Sequence, residues 1–221
     1  VAGDPSRPVF HFHAPANWMN DPNGTIFYNG FYHIFYQHDP YSDRPISMHW
    51  GHARSKNMVD WEYLPIALFP LGNEGEKHCY SGCAVLAGDG QPVILYTSIG
   101  DREPEQWLAL GNNSLTEWIR SPSNPVMTTA IHGDIKVSEW RDPFIFRDSS
   151  RTFAVLGGKT DEGAAIFLYE AQNIQLTSWK FIKILYRHPD RGIVSLECPN
   201  FFKIGEKWVL LFSQYKPVSY T

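Results

Sequence analysis

Short apolar and aromatic runs, each closed by a turn of Gly, Asn or Asp, recur along this chain at nearly constant spacing. Residues 25–28 and 31–37 flank Asn29-Gly30, residues 84–96 surround Gly88-Asp89-Gly90, and residues 144–156 and 201–212 repeat the pattern, the last around Gly205. Asn and Gly accept the positive φ that a tight hairpin demands, so each segment predicts strand, turn, strand. The segments begin near Gly24, Gly82, Pro143 and Pro199, at steps of 58, 61 and 56 residues.

A second marker keeps the same period. Trp61, Trp118 and Trp179 each follow a short polar stretch, at spacings of 57 and 61 residues. Apolar segments at 48–54, 106–111 and 164–169 lie between the two markers. Together they give about four strands per repeat, the content of one propeller blade. No window of about ten residues carries an apolar stripe of helical period, which argues against alternating βαβ units. A β-sandwich also has many short strands, but the recurrent tryptophans favour an all-β propeller. The expected blades are 10–70, 75–130 and 135–190, with the start of a fourth at 195–221. The chain therefore reads as an incomplete N-terminal part of a β-propeller domain, whose unpaired strand edges are expected to make it associate when alone.

Composition narrows the partners. The 221 residues are 43% hydrophobic and 15% aromatic with 16 prolines and 17 glycines, a turn-rich globular composition rather than a disordered one. Net charge is −4 and the 19 basic residues form no stripe, so no nucleic-acid partner is expected. No apolar run suggests a membrane span, and a neutral substrate fits better. Cys79, Cys83 and Cys198 suit neither a disulfide framework nor a paired Cys-x-x-Cys site. Residues 1–8 show no charged start followed by an apolar stretch, so no signal peptide is expected within them.

Acidic residues fall at matching points of the repeat. Asp21 precedes the first hairpin by three residues, Asp142 directly precedes the third at Pro143, and Glu197 precedes the fourth at Pro199 by two. The first strand of every propeller blade runs along the central axis, so residues near its start gather at one mouth of the axial funnel. The second hairpin carries Ser81-Gly82 at this point. Clustered carboxylates without matching cations raise one another's pKa, and glycoside hydrolysis uses such a pair, one protonated and one not. Trp18, Trp50, Tyr36 and Tyr80 suit stacking on sugar faces, while Asn20, Gln37 and Arg141 offer hydrogen bonds to hydroxyls. Taken singly, Asp21-Pro22-Asn23-Gly24 is turn chemistry and Arg141-Asp142 an ion pair; only their shared phase points to a site. His11-Phe12-His13 and His49-Trp50-Gly51-His52 lack a third ligand and are expected as packed or hydrogen-bonded histidines.

Trp18-Met19-Asn20-Asp21-Pro22-Asn23-Gly24, Phe35-Tyr36-Gln37, Trp50-Gly51-His52, Arg141-Asp142-Pro143 and Glu197-Cys198, in this order, resemble glycoside hydrolase family 32, that of invertases, inulinases and levanases. The resemblance implies a five-bladed β-propeller followed by a β-sandwich, of which this chain would hold about three and a half blades. It implies Asp21 as nucleophile, Glu197 as acid/base and Asp142 as transition-state stabiliser, with retained configuration and no metal or cofactor. Trp18, Asn20, Gln37, Trp50, Ser81 and Arg141 would line the fructose subsite. The implied partners are a fructoside of sucrose, inulin or levan type and the C-terminal part of the same protein. Two departures, Tyr80-Ser81-Gly82-Cys83 for Phe-Ser-Gly-Ser and Leu196-Glu197-Cys198-Pro199-Asn200 for Trp-Glu-Cys-Pro-Asp, bear on leaving-group preference. A fructosyltransferase, an arabinose-directed propeller hydrolase and a non-catalytic carbohydrate-binding propeller are the rival readings.

Overall fold

Side chains on successive strand residues point to opposite faces, and in the middle of this chain both faces of a sheet meet another sheet. The structure, a computed structural model, describes residues 3–8 and 11–216. The ends of the expected blades at residue 10 and at 217–221 therefore lie outside the described residues.

Among the described residues, fourteen antiparallel strands form four sheets in chain order. The first contains β1 (Trp18–Tyr28), β2 (Phe31–Asp39), β3 (His49–Ser55) and β4 (Trp61–Leu68). The second contains β5 (Glu76–Leu86), β6 (Pro92–Gly100), β7 (Glu105–Gly111) and β8 (Trp118–Arg120). The third contains β9 (Ser138–Asp148), β10 (Arg151–Thr160), β11 (Gly163–Ala171) and β12 (Trp179–Arg187), and a hairpin of β13 (Ser195–Ile204) and β14 (Lys207–Tyr215) follows. Each full sheet is a simple meander, and the innermost strands β1, β5, β9 and β13 stand next to one another in that order. This is the all-β propeller architecture that the repeat predicts. The described residues contain propeller sheets only, with two short 3₁₀ turns at Gly72–Glu74 and Thr129–His132.

The tryptophan marker has a structural cause. Trp61, Trp118 and Trp179 open β4, β8 and β12, and the residue three places before each, Met58, Leu115 and Leu176, has φ of 61°, 57° and 62°. In the second and third sheets the indole N–H closes that left-handed turn, Trp118 donating to the Leu115 carbonyl at 3.0 Å and Trp179 to the Leu176 carbonyl at 2.8 Å. The side-chain oxygens of Asn112 and Asn173 accept the backbone N–H of Thr116 and Thr177 inside the same turns. Asn is favoured there because its short amide bonds backbone groups a few residues on.

The core is a series of layers between blades rather than one centre. Phe35, Trp50 and Leu68 of the first sheet meet Ile94, Tyr96 and Trp107 of the second. Val93, Leu95 and Leu108, on the other face of the same strands, meet Trp140, Leu156, Phe167 and Tyr169 of the third. Val155 and Ile166, on the far face of the third, join Leu196, Phe201 and Leu210. Burial on both faces explains why β6 reads as a continuous apolar run instead of alternating. Each fully buried Leu, Ile or Phe contributes about 1.5–3 kcal/mol.

The inner strands start earlier than the hairpin pattern predicts, because each continues through a β-bulge. Pairing skips between Met19 and Pro22, Cys79 and Gly82, Arg141 and Phe144, and Glu197 and Asn200. A bulge adds an unpaired residue and re-aims its side chain. The four bulges occupy one level of the fold.

Blades approach closely at Gly157 of β10, where an added Cβ would lie 1.7 Å from the Leu196 carbonyl oxygen of β13. That contact is backbone and cannot swing aside, so Gly157→Ala is expected to destabilise by roughly 3 kcal/mol or more. Gly205→Ala, at φ +59° with open space around it, should cost only about 1 kcal/mol. Urea denaturation of the two variants in parallel checks the difference.

Candidate active site

At the bulge level, each inner strand presents one residue immediately before a Pro or Gly: Asp21 before Pro22, Ser81 before Gly82, Asp142 before Pro143, and Cys198 before Pro199. The Ser81 hydroxyl donates to Asp21 Oδ2 at 2.7 Å. The backbone N–H of Cys198 donates to Asp142 Oδ2 at 2.9 Å, and the Cys198 thiol lies 3.6 Å from Asp21 Oδ2 and 3.7 Å from Asp142 Oδ2. These contacts link the four strands in the order β5, β1, β13, β9. Glu197 does not share the phase of Asp21 and Asp142. Its counterparts are Asn20, Tyr80 and Arg141, one position earlier, and the fourth-strand partner of the two aspartates is Cys198.

The earlier position faces the cavity. A cavity of ≈ 340 Å³ is lined by Trp18, Asn20, Asp21, Gln37, Pro45, Met48, Tyr80, Ser81, Arg141, Asp142 and Glu197. The structure therefore gathers the three candidate carboxylates and five of the six other candidate residues around one opening. Trp50 is the exception. It is fully buried between the first two sheets, and its indole N–H supports the site from behind by donating to the Tyr80 carbonyl at 3.1 Å. Tyr36 is likewise buried.

Pro45 and Met48 reach the cavity through an irregular segment with no strand periodicity to betray it. Asp39 at the end of β2 organises that segment, its carboxylate accepting backbone N–H groups of Tyr41, Ser42, Ile46 and Ser47 at 2.7–3.1 Å. Burial works against the Asp39 charge, but these bonds hold its pKa below the ordinary value. An aspartate six residues before Pro45, followed by Pro40, Ser42 and Asp43, is a turn signal that could have placed the segment.

The electrostatics depart from the expectation of carboxylates without a matching cation. Arg141 lies among them: one terminal nitrogen donates to Glu197 Oε1 at 2.5 Å and to Ser195 Oγ at 3.1 Å, the other to Glu139 Oε2 at 2.6 Å. Its Nε is 4.0 Å from Asp142 Oδ2. Asp142 carries a raised carboxyl. Burial pushes it up to about 6 and Asp21 and Glu197 add to the rise, while the Cys198 N–H and Arg141 oppose it. The Cys198 thiol is pushed up as well, by burial and then by the Asp142 and Asp21 charges, so sulfur remains a thiol donor.

Asp142 holds φ at +62° and Cys198 at +47°, a region that non-glycine residues seldom occupy. Asp142 is fixed there from the neighbouring blade: its backbone N–H donates to Thr97 Oγ1 at 3.1 Å, and the Thr97 hydroxyl donates to Gln106 Oε1 at 2.8 Å. Both supporting residues are fully buried. They lie on β6 and β7, distant in sequence from the motifs, and no local signal marked them.

The histidines are packed rather than gathered. His52 stacks on Phe35 with ring centroids 4.0 Å apart and bonds His33 at 2.9 Å, while Nδ1 of His49 bonds the Ser47 carbonyl. Among the described residues no group of three or more His, Cys, Asp or Glu side chains could hold a metal ion. No helix among them is long and apolar enough to cross a membrane.

An acid whose folded pKa exceeds its unfolded value stabilises the fold fully below the unfolded value and loses that contribution as pH rises through the folded one. For Asp142 the window runs from 3.8 to about 6, which corresponds to on the order of 3 kcal/mol. Asp142→Asn removes this dependence. The stability of the variant relative to the unsubstituted protein should therefore rise by that order between pH 3.5 and pH 7, and urea melts at the two pH values measure it.

Residues 11–220 match the profile of the glycosyl hydrolases family 32 N-terminal domain. A sucrose-6-phosphate hydrolase of Escherichia coli is 37% identical over 96% of this chain and 44% of its own length. One of Zymomonas mobilis is 35% identical over 93% of this chain and 42% of its own. A structure of a Bombyx mori GH32 β-fructofuranosidase variant in complex with sucrose superposes with a TM-score of 0.83 at 34% identity, over 96% of this chain and 45% of that one. The chain thus spans less than half the length of these relatives.

Proposed function

The chain belongs to glycoside hydrolase family 32, and from that premise we propose that the protein carrying it releases fructose from β-fructofuranosides by double displacement. The observation that carries this reading is the convergence of Asp21, Asp142 and Glu197, with one arginine among them, on a single cavity. The sucrose held by the Bombyx mori relative supports a sugar of that size as ligand.

Asp21 is the proposed nucleophile. Its Oδ2 is held by the Ser81 hydroxyl, which fixes the carboxylate for attack on the anomeric carbon. Glu197 is the proposed acid/base: protonated, it gives its proton to the glycosidic oxygen as the bond to fructose breaks. Its carboxylate then takes a proton from water, which attacks the fructosyl-Asp21 ester and frees the sugar with configuration retained. Asp142 is the proposed binder of fructose hydroxyls. Burial favours this role, since a hydrogen bond to a carboxylate sheltered from water is worth more than one in solvent.

Trp18 supplies an apolar wall, and Asn20, Gln37 and Arg141 are the proposed hydroxyl partners. Gln37 is suited to this: its amide nitrogen is spent on the Cys79 carbonyl at 2.9 Å, while its Oε1 is buried without a protein partner. Trp50, although part of the same motifs, acts in this reading only through Tyr80.

In the full-length protein Asp21→Ala should lower fructose release from sucrose or inulin by on the order of 10⁴-fold. Retention of a tenth of the activity rules out the nucleophile assignment. Glu197→Gln should fail most on sucrose and least on a fructoside whose phenolate leaving group needs no proton; equal losses on both would exclude Glu197 as the acid.

A further inference from the structure

Glu139 is a fourth carboxylate, bound to the cavity-lining Arg141 and outside every motif that marks the site. It lies on β9 two residues before Arg141, with φ of +52° and a half-exposed side chain. Its Oε2 accepts one terminal nitrogen of Arg141 at 2.6 Å, while the other terminal nitrogen reaches Glu197 at 2.5 Å. Arg141 therefore does not clamp Glu197 with both arms of its fork. The guanidinium is divided between two carboxylates from different strands.

A guanidinium that gave both arms to one carboxylate would hold that group charged more firmly than a single-armed contact does. Glu197, in the role assigned to it above, must begin the reaction protonated. We propose that Glu139 is a positioning residue that draws one arm of Arg141 away from Glu197 and so keeps the acid able to hold its proton at working pH. The inference rests on the reading of Glu197 as acid/base. The groups facing Glu197 are Arg141 and Asp142 from β9, Asp21 from β1 and Tyr80 from β5 across the cavity, with Ser213 as its cross-strand partner on β14. Arg141 is the one cation among the described cavity-lining residues, so its partition decides the balance.

The test uses the full-length protein carrying carbon-13 label at glutamate carboxyls, in which the resonance lost on Glu197→Gln reports Glu197 directly. With Glu139→Ala, which removes both the charge and the acceptor that holds the second arm of Arg141, that resonance should move to lower pH. With Glu139→Asp, which keeps the charge, it should stay near the unsubstituted position. The alkaline limb of the kcat/KM profile for fructose release should move down with the first variant, while plateau kcat and KM change by less than about twofold. A Glu139→Ala titration that overlays the unsubstituted one overturns the inference. If the unsubstituted protein releases no fructose, the functional reading falls, and the carboxyl titration still decides how Arg141 is shared.

Discussion

Carboxylates held within one funnel repel each other, and away from bulk water that repulsion grows several-fold. Asp21, Asp142 and Glu197 stay together because each has its own donor: the Ser81 hydroxyl, the Cys198 amide and the Arg141 guanidinium. In every case the donor sits on a different inner strand from its acceptor. Asp21 on β1 is served by β5, Asp142 on β9 by β13, and Glu197 on β13 by β9. No single blade holds all three carboxylates, so the spacing between blades is itself the constraint on which the cavity depends.

That spacing is set one residue away from the cavity. Cys79, Trp140 and Leu196 immediately precede Tyr80, Arg141 and Glu197, and all three are fully buried. Each belongs to a different interblade layer. Trp140 is anchored further, its indole N–H donating to the Tyr169 hydroxyl at 2.8 Å, which also bonds His132 at 2.6 Å. A strand residue locked in a packed layer leaves its neighbour little freedom, because successive side chains diverge to opposite faces. Apolar packing therefore sets where the backbone of each cavity residue stands, and the bonds among their side chains then hold the carboxylates in place.

The period of turns and tryptophans was legible because it comes from local chemistry: a left-handed turn closed by an indole, and hairpins at Gly and Asn. The convergence of carboxylates was legible because a repeat converts sequence phase into place. Phase failed by one residue at Glu197, since a bulge shifts register without altering residue types, and nothing in Glu197-Cys198-Pro199 shows which side chain turns inward. Aromatic character and nearness to the motif predict Trp50 at the sugar, whereas β3 turns it into the layer against Tyr96. Thr97 and Gln106 carry no local signal because their role is to hold the Asp142 backbone from a neighbouring blade, whereas Pro45 and Met48 follow a turn signal at Asp39 that marks their segment but not the cavity it reaches.

Asp142 concentrates the fold's local costs. It is buried, its carboxyl is pushed up to about 6, and its backbone holds a positive φ. Strain of this kind persists only where surrounding structure over-determines it, and here three elements do so: Thr97 on the backbone N–H, Cys198 on the carboxylate, and Trp140 two residues earlier in the core. The layers on either side of β9 join it to the second sheet and to the β13 hairpin, so the cost at one residue is carried by two interfaces. Relieving the cost would stabilise the chain and at the same time remove the sheltered acceptor. Stability and the role proposed for Asp142 therefore pull in opposite directions, while at Trp140, which only packs and anchors, they pull in the same one.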